Sequence, residues 1–185
     1  MILDVLTLED CEYVRIWRNQ CLETLRTPYP LTKEMQEDFY RDVVCNRNSP
    51  HRYWGIVSED EFKRHSVGYD YPAKKGKLLG MGGLTNIEWE NSQAEISVII
   101  DPTLQRQGYG KEAVHLLLDQ AFNYLNLELV YGECYLSHEG FRFWHKVVDT
   151  YKGGTASIRK GKLWDGKRYG TLYFDVSRDD FRKAR

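Results

Sequence analysis

The chain predicts an α/β fold of the α+β kind, a mixed central sheet with helices on both faces, and three observations carry that reading. β-Branched and aromatic runs alternate with stretches whose apolar residues recur every three or four positions. The run Ala94-Glu95-Ile96-Ser97-Val98-Ile99-Ile100 is stopped by Asp101-Pro102, and past Gln105-Arg106-Gln107-Gly108-Tyr109-Gly110 come Val114, Leu117, Leu118, Ala121 and Leu125 at helical spacing. Those six residues therefore bridge a strand end and a helix start. Asp165-Gly166 is the strongest two-residue hairpin turn in the chain.

Taken in order, Ile2, Leu3, Val5 and Leu6 predict a short first strand. Thr7 then caps a helix carrying Val14 and Trp17, with Asp10 three residues on as a weaker capping box. Thr24 to Pro30 is a loop, because Pro28 and Pro30 remove donors and restrict their neighbours. Thr32 caps a second helix with Met35, Phe39 and Val43 on its apolar face, ending near Asn46 to Pro50. Tyr53–Val57 and Leu78–Ile87 read as strands joined by a long charged segment, Ser58 to Lys77, which fits either a functional loop or a surface excursion. Trp89 to Ser92 is a turn, Gln93–Ile100 the fourth strand and Leu129–Tyr135 the fifth, with Gly132 as its weak point. A helix from about Glu139 to Lys146 and the Asp165-Gly166 hairpin complete the order.

A length of 185 residues fits one domain over 1–185 with a real core. A formal charge of -1 supplies no basic footprint for nucleic acid or an anionic membrane, and neither is expected as a partner. No apolar run is long enough to span a bilayer and Met1-Ile2-Leu3-Asp4 is unlike a secretion signal, so a cytoplasmic protein is expected. Cys11, Cys21, Cys45 and Cys134 have no metal-ligand or C-x-x-C spacing and read as free buried thiols; the five histidines are irregularly spaced, and no metal is expected.

The residues from Gln105 to Lys111 carry a chemistry of their own. The first turn of a helix offers unpaired N–H groups and the positive end of its dipole, which together attract an anion. Gly108 and Gly110 permit a sharp bend and close approach of a phosphate oxygen, and Arg106 and Lys111 add mobile positive charge. The glycines alone equally fit a plain strand-to-helix loop. The segment lacks the Gly-Lys-Ser/Thr ending of a Walker loop and the G-x-G-x-x-G spacing of a dinucleotide fold.

In its strand–loop–helix setting, Gln105-Arg106-Gln107-Gly108-Tyr109-Gly110 resembles the Q/R-x-x-G-x-G/A pyrophosphate loop of the GNAT family of acetyl-CoA-dependent N-acetyltransferases. The likeness extends through Ala94 to Pro102 upstream and Glu112-Ala113 downstream, and is sharp over 94 to 122. Trp164-Asp165-Gly166-Lys167-Arg168-Tyr169 to Ser177-Arg178-Asp179 resembles the ending of the branch that acetylates ribosomal-protein N-termini. Trp17-Arg18-Asn19 resembles both the amino-sugar-modifying and the ribosomal branches, although arginines near a helix C-terminus are also simply favourable there. The resemblance implies a mostly antiparallel sheet of the acyl-CoA N-acyltransferase type, with acetyl-CoA as donor. It implies that Gln105, Arg106, Gln107, Gly108, Tyr109, Gly110 and Lys111 bind the pyrophosphate, and that the backbone of Val98, Ile99 and Ile100 pairs with the pantetheine arm. Tyr29, Phe39 and Tyr40 become candidate walls of the acceptor site.

Acetyl transfer needs a base for the incoming ammonium and a proton for the departing thiolate. Glu95 is the first choice of base, since it opposes Ile96 and Val98 in the strand's alternation; Glu88 and His138 are weaker candidates, and a glutamate merely exposed on a sheet face remains the alternative. Many family members place Asn-x-x-Ala-x-x-x-Tyr at the last helix, where this chain has Ser137 to Trp144. Ser137 can still donate a hydrogen bond to the cofactor arm, whereas Trp144 cannot act as an acid and can only donate a hydrogen bond or pack on the cofactor. The proton then falls to water, Ser137 or a tyrosine such as Tyr135. Three functions follow: an N-acetyltransferase for a small amine such as an amino sugar, a protein N-terminal acetyltransferase, or a catalytically silent acyl-CoA-binding module, each as monomer or homodimer.

Overall fold

A computed structural model describes residues 1–59 and 76–184. Seven strands form one sheet in the order β1-β2-β3-β4-β5-β7-β6, with ranges β1 Ile2–Asp4, β2 Arg52–Val57, β3 Leu78–Glu88, β4 Gln93–Ile100, β5 Leu129–Tyr135, β6 Thr155–Trp164 and β7 Lys167–Ser177. β4 and β5 run parallel; the other neighbours are antiparallel. The mixed, mostly antiparallel sheet expected from the sequence is therefore present. Most of the Ser58 to Lys77 segment lies outside the described residues.

Helices cover both faces. On one side α1 (Leu8–Asn19) and α2 (Lys33–Phe39) enclose a cluster of Leu6, Cys11, Val14, Trp17 and Met81. On the other, α3 (Tyr109–Asp119), α4 (Gly140–Tyr151) and α5 (Arg178–Lys183) bury a larger core that includes Leu84, Ile96, Val114, Leu117, Phe122, Val148, Phe174 and Phe181. Thr7 and Asp10 close a complete capping box at α1, the Thr7 amide donating to Asp10 Oδ2 over 2.8 Å and the Asp10 amide to Thr7 Oγ1 over 3.2 Å.

Several expectations are corrected. β1 stops at Asp4, and Val5 is exposed because the chain turns there to reach the α1 cap. Met35 is exposed; α2 buries Gln36 instead and continues as a π turn, Tyr40–Val44, which turns Tyr40 and Val44 with Phe39 toward the core. α4 runs past Lys146 to Tyr151, since Val147, Val148 and Tyr151 complete its apolar stripe. α5 is an element the sequence reading does not contain, although Ser177 and Asp180 have the spacing of a helix cap, the Asp180 amide donating to Ser177 Oγ over 3.1 Å. Cys11 and Cys134 are buried thiols, but Cys45 lies on the surface. The Asp165-Gly166 turn takes positive φ at both residues, 46° and 68°, as a tight hairpin between twisted strands demands.

Candidate active site

The site begins where two neighbouring strands part. β4 and β5 pair only through Gln93↔Leu129, Ala94↔Val130 and Glu95↔Tyr131. Beyond Glu95, β4 stays paired with β3 on its other side, Val98 with Gly82, Ile99 with Met81 and Ile100 with Gly80. Among the described residues the β4 edge that faces β5 thus has no strand partner from Ile96 to Ile100, with only the Ile100 carbonyl met by Gln105 Nε2 over 3.4 Å, which leaves room for an extended ligand.

At the open end of this fork the chain passes through a short 3-10 turn, Pro102–Leu104, into the glycine-bearing bend and α3. Gly108 is the α3 N-cap at φ +94°, a conformation glycine adopts without penalty. A Cβ placed there would meet nothing within 4 Å. Gln105, Arg106, Gln107, Gly108 and Lys111 are exposed, Tyr109 and Gly110 half-buried. Among the described residues nothing accepts a hydrogen bond from the amides of Arg106, Gln107 and Gly108. The bend is an open anion cradle with a helix directly behind it. Phe143 of α4 packs against Gly110, where an added Cβ would lie 3.3 Å from the ring.

The polar face of the fork is built around Glu95, which is 8% exposed. Asn86 Nδ2 donates to its Oε2 over 2.9 Å, and Thr85 Oγ1 donates to its backbone oxygen over 3.2 Å. Arg26, from the loop after α1, donates through Nη1 to Glu95 Oε2 over 3.3 Å and through Nη2 to Oε1. The same guanidinium donates through Nε to Glu133 of β5, which also accepts from Tyr135 Oη over 2.9 Å. Burial alone would raise Glu133, yet the bonds from Arg26 and Tyr135 outweigh it and hold the carboxyl below its ordinary value. Burial and the bond to Glu133 push the Tyr135 phenol up to about 12.

The loop carrying Arg26 is fastened from the other side of the cleft. Lys162 Nζ donates to the Leu25 carbonyl, Ser137 Oγ donates to the Glu23 carbonyl over 3.1 Å, and the Lys162 ammonium lies 4.7 Å from the Tyr135 ring centre. Ser137 therefore stands beside the fork with its proton already engaged. Trp144 stacks on Phe174 at 4.5 Å between ring centres and packs against the core. Phe39 packs edge-on against Tyr53 at 5.1 Å, Tyr40 packs with it against the α1 cluster, and Tyr29 is exposed. Glu88 is held by Asn91 and Gln93 at the far end of β3, below its ordinary carboxyl value through those bonds. His138 Nδ1 accepts the Gly140 amide over 2.9 Å, and burial lowers the pKa of the ring.

Sequence reasoning misses Arg26, Glu133 and His51. His51 Nδ1 accepts the Asn86 amide over 3.0 Å, so its proton sits on Nε2, and burial lowers its pKa. Glu133 has a legible signal, two residues beyond the Glu95 partner on an alternating strand. Arg26 has none, since a loop arginine carries no periodicity. Among the described residues no group of His, Cys, Asp and Glu is placed to hold a metal ion, and no helix is long and apolar enough to cross a membrane.

Residues 1–142 match the acetyltransferase (GNAT) domain family. No curated protein matches the chain by sequence. Among solved structures, the spermidine N-acetyltransferase of Vibrio cholerae in complex with CoA and spermine superposes with a TM-score of 0.78 at 17% identity, covering 97% of this chain and 96% of that one. A dodecameric form of the Vibrio cholerae enzyme gives 0.74 at 17% identity over 97% and 94% of the two chains. A point mutant of that enzyme gives 0.76 at 18% over 98% and 97%. At these identities the likeness is one of fold.

Proposed function

The chain belongs to the GNAT family of N-acetyltransferases, and from that premise we propose that it moves the acetyl group of acetyl-CoA to a primary amine of a small molecule by direct attack in a ternary complex. The observation that carries this reading is the conjunction of an exposed anion cradle at Gly108 with an unpaired strand edge leading from it to a buried carboxylate. The amides from Arg106 to Gly110 hold the pyrophosphate, helped by the Arg106 and Lys111 side chains. The free edge at Val98 to Ile100 pairs with the pantetheine arm and turns an amide toward the thioester oxygen.

Glu95 takes the ammonium proton, directly or through a water, and the freed amine attacks the thioester carbon. The tetrahedral intermediate collapses with cleavage of the C–S bond. The departing thiolate resembles a cysteine thiolate, with a pKa of about 8.5. Tyr135 is poorly placed to protonate it, because its hydroxyl is donated to Glu133 over 2.9 Å and burial with that bond raises its pKa. Solvent supplies that proton, since the Ser137 hydroxyl is donated to the Glu23 carbonyl, and Trp144 remains a packing residue whose stack on Phe174 leaves the cofactor role to its neighbour Phe143 beside Gly110.

The amino-sugar reading is supported by the Trp17-Arg18-Asn19 phrase. A polyamine reading is favoured by two carboxylates, Glu95 and Glu133, on one face of the fork, and by the spermine bound in the Vibrio cholerae structure. The test is release of free thiol from acetyl-CoA across amino sugars, polyamines and peptides with free N-termini, beside calorimetry with acetyl-CoA. Turnover on a small amine supports the proposal. Turnover on peptides alone would replace it with the N-terminal reading, and tight cofactor binding without turnover on any acceptor with the silent module.

A further inference from the structure

The two carboxylates of the fork are already occupied by a cation from the protein itself. Arg26 is 57% exposed at its side chain, whereas Glu95 and Glu133 are 10% and 15% exposed, so the cation lies on the solvent side and the anions inside. They stand on different strands at the point where β4 and β5 separate. The backbone behind Arg26 is pinned through Leu25 and Glu23 by Lys162 and Ser137. An amine approaching Glu95 must take the place of this guanidinium, because both carboxylate oxygens are bonded to Arg26.

We propose that Arg26 is a tethered stand-in for an acceptor with two positive charges, bridging Glu95 and Glu133 in the free protein and displaced on binding so that the carboxylate pair selects the diamine, an inference that rests on the acetyltransferase reading and deepens it. A guanidinium on a short tether acts at an effective concentration of order 1 mM or more. A monoamine that expels it pairs with Glu95 but leaves Glu133 half-buried and without its cation, which is unfavourable. A diamine whose second ammonium reaches Glu133 leaves neither carboxylate unpaired. Selection comes from what the wrong acceptor leaves uncompensated as much as from what the right one gains.

Steady-state kinetics with n-butylamine and 1,4-diaminobutane, on wild type and Arg26→Gln, test this. The expected result is a KM about tenfold lower for both amines in the variant, with the diamine-to-monoamine ratio of kcat/KM well above one in both proteins. Added methylguanidinium should compete with the amine in Arg26→Gln and have little effect on wild type, which a purely structural arginine would not produce. Glu133→Gln should erase the preference for the diamine, bringing the diamine-to-monoamine ratio of kcat/KM close to one. A KM unchanged for both amines in Arg26→Gln, a ratio near one in wild type, or a fall in kcat shared by all amines at constant KM, would overturn the inference. If Arg26→Gln does not fold, Arg26→Lys, which cannot bridge both carboxylates with a planar fork, should show the same fall in KM at smaller amplitude, and an unaltered KM there counts against the proposal. Should wild type acetylate neither amine, the acetyltransfer reading is the one at fault. The competitor role is then read from calorimetric affinities of the two amines for wild type and variant, and equal affinities in both proteins overturn it.

Discussion

At the scale of single residues, Gly108 separates backbone strain from electrostatics. Its φ of +94° disfavours any L residue, but the space around a Cβ is empty. Gly108→Ala should therefore cost about 1–2 kcal/mol through backbone conformation alone. Gly108→Asp adds a carboxylate where the proposed site receives the pyrophosphate and should lower acetyl-CoA affinity well beyond the alanine variant; equal affinities by calorimetry would remove this bend from the cofactor site. Glu95→Gln keeps the shape of the side chain and its place beside Asn86, and should reduce kcat by about 10²- to 10⁴-fold with acetyl-CoA affinity unchanged. Undiminished turnover would eliminate Glu95 as the base. Both residues were legible in the sequence, the glycine by its place between strand and helix and the glutamate by strand alternation. Arg26 was not, because its meaning lies in partners 69 and 107 positions away.

At the scale of elements, the position of the cradle depends on how closely α3 lies on the sheet. Gly82 of β3 makes that approach possible: a Cβ there would sit 2.8 Å from Leu117 Cδ1, and Leu117 is fully buried with no room to yield. Gly82→Ala should destabilise the protein by about 1–3 kcal/mol by overpacking. Because α3 carries Gly108 at its N-terminus, acetyl-CoA affinity should fall as well. A thermal melt and a calorimetric titration check the pair of effects, and a variant that melts like wild type would show that α3 has slack against β3. The start of α3 and all of β4 and β5 could be placed from the sequence, since a turn signal and a β-branched run are local. The π turn after α2 could not, since it is the packing of Tyr40 and Val44 on α1 that sets it.

At the scale of the whole molecule, the Arg26 pair ties the loop after α1 to both halves of the divided sheet. Glu133 sits below its ordinary carboxyl value in the folded protein. Its contribution to stability is therefore full above the unfolded value of about 4.3, and is lost as pH falls through the lower folded value. The melting temperature of wild type should exceed that of Arg26→Gln near neutral pH, and the gap should close on acidification below about pH 4. A gap that stays constant to strongly acid pH would mean that the pair adds nothing through ionisation. The sequence by itself determined the mixed sheet, the order of its strands along the chain and the glycine-bearing bend before α3, because each follows from hydrophobic period, turn residues or a motif within a few positions. Only the tertiary structure decided that β4 and β5 separate after Glu95, and that an arginine from a distant loop closes over the carboxylates that stand there. Strand divergence and ion pairing between remote segments depend on which surfaces meet in space, and no local pattern of residues records that.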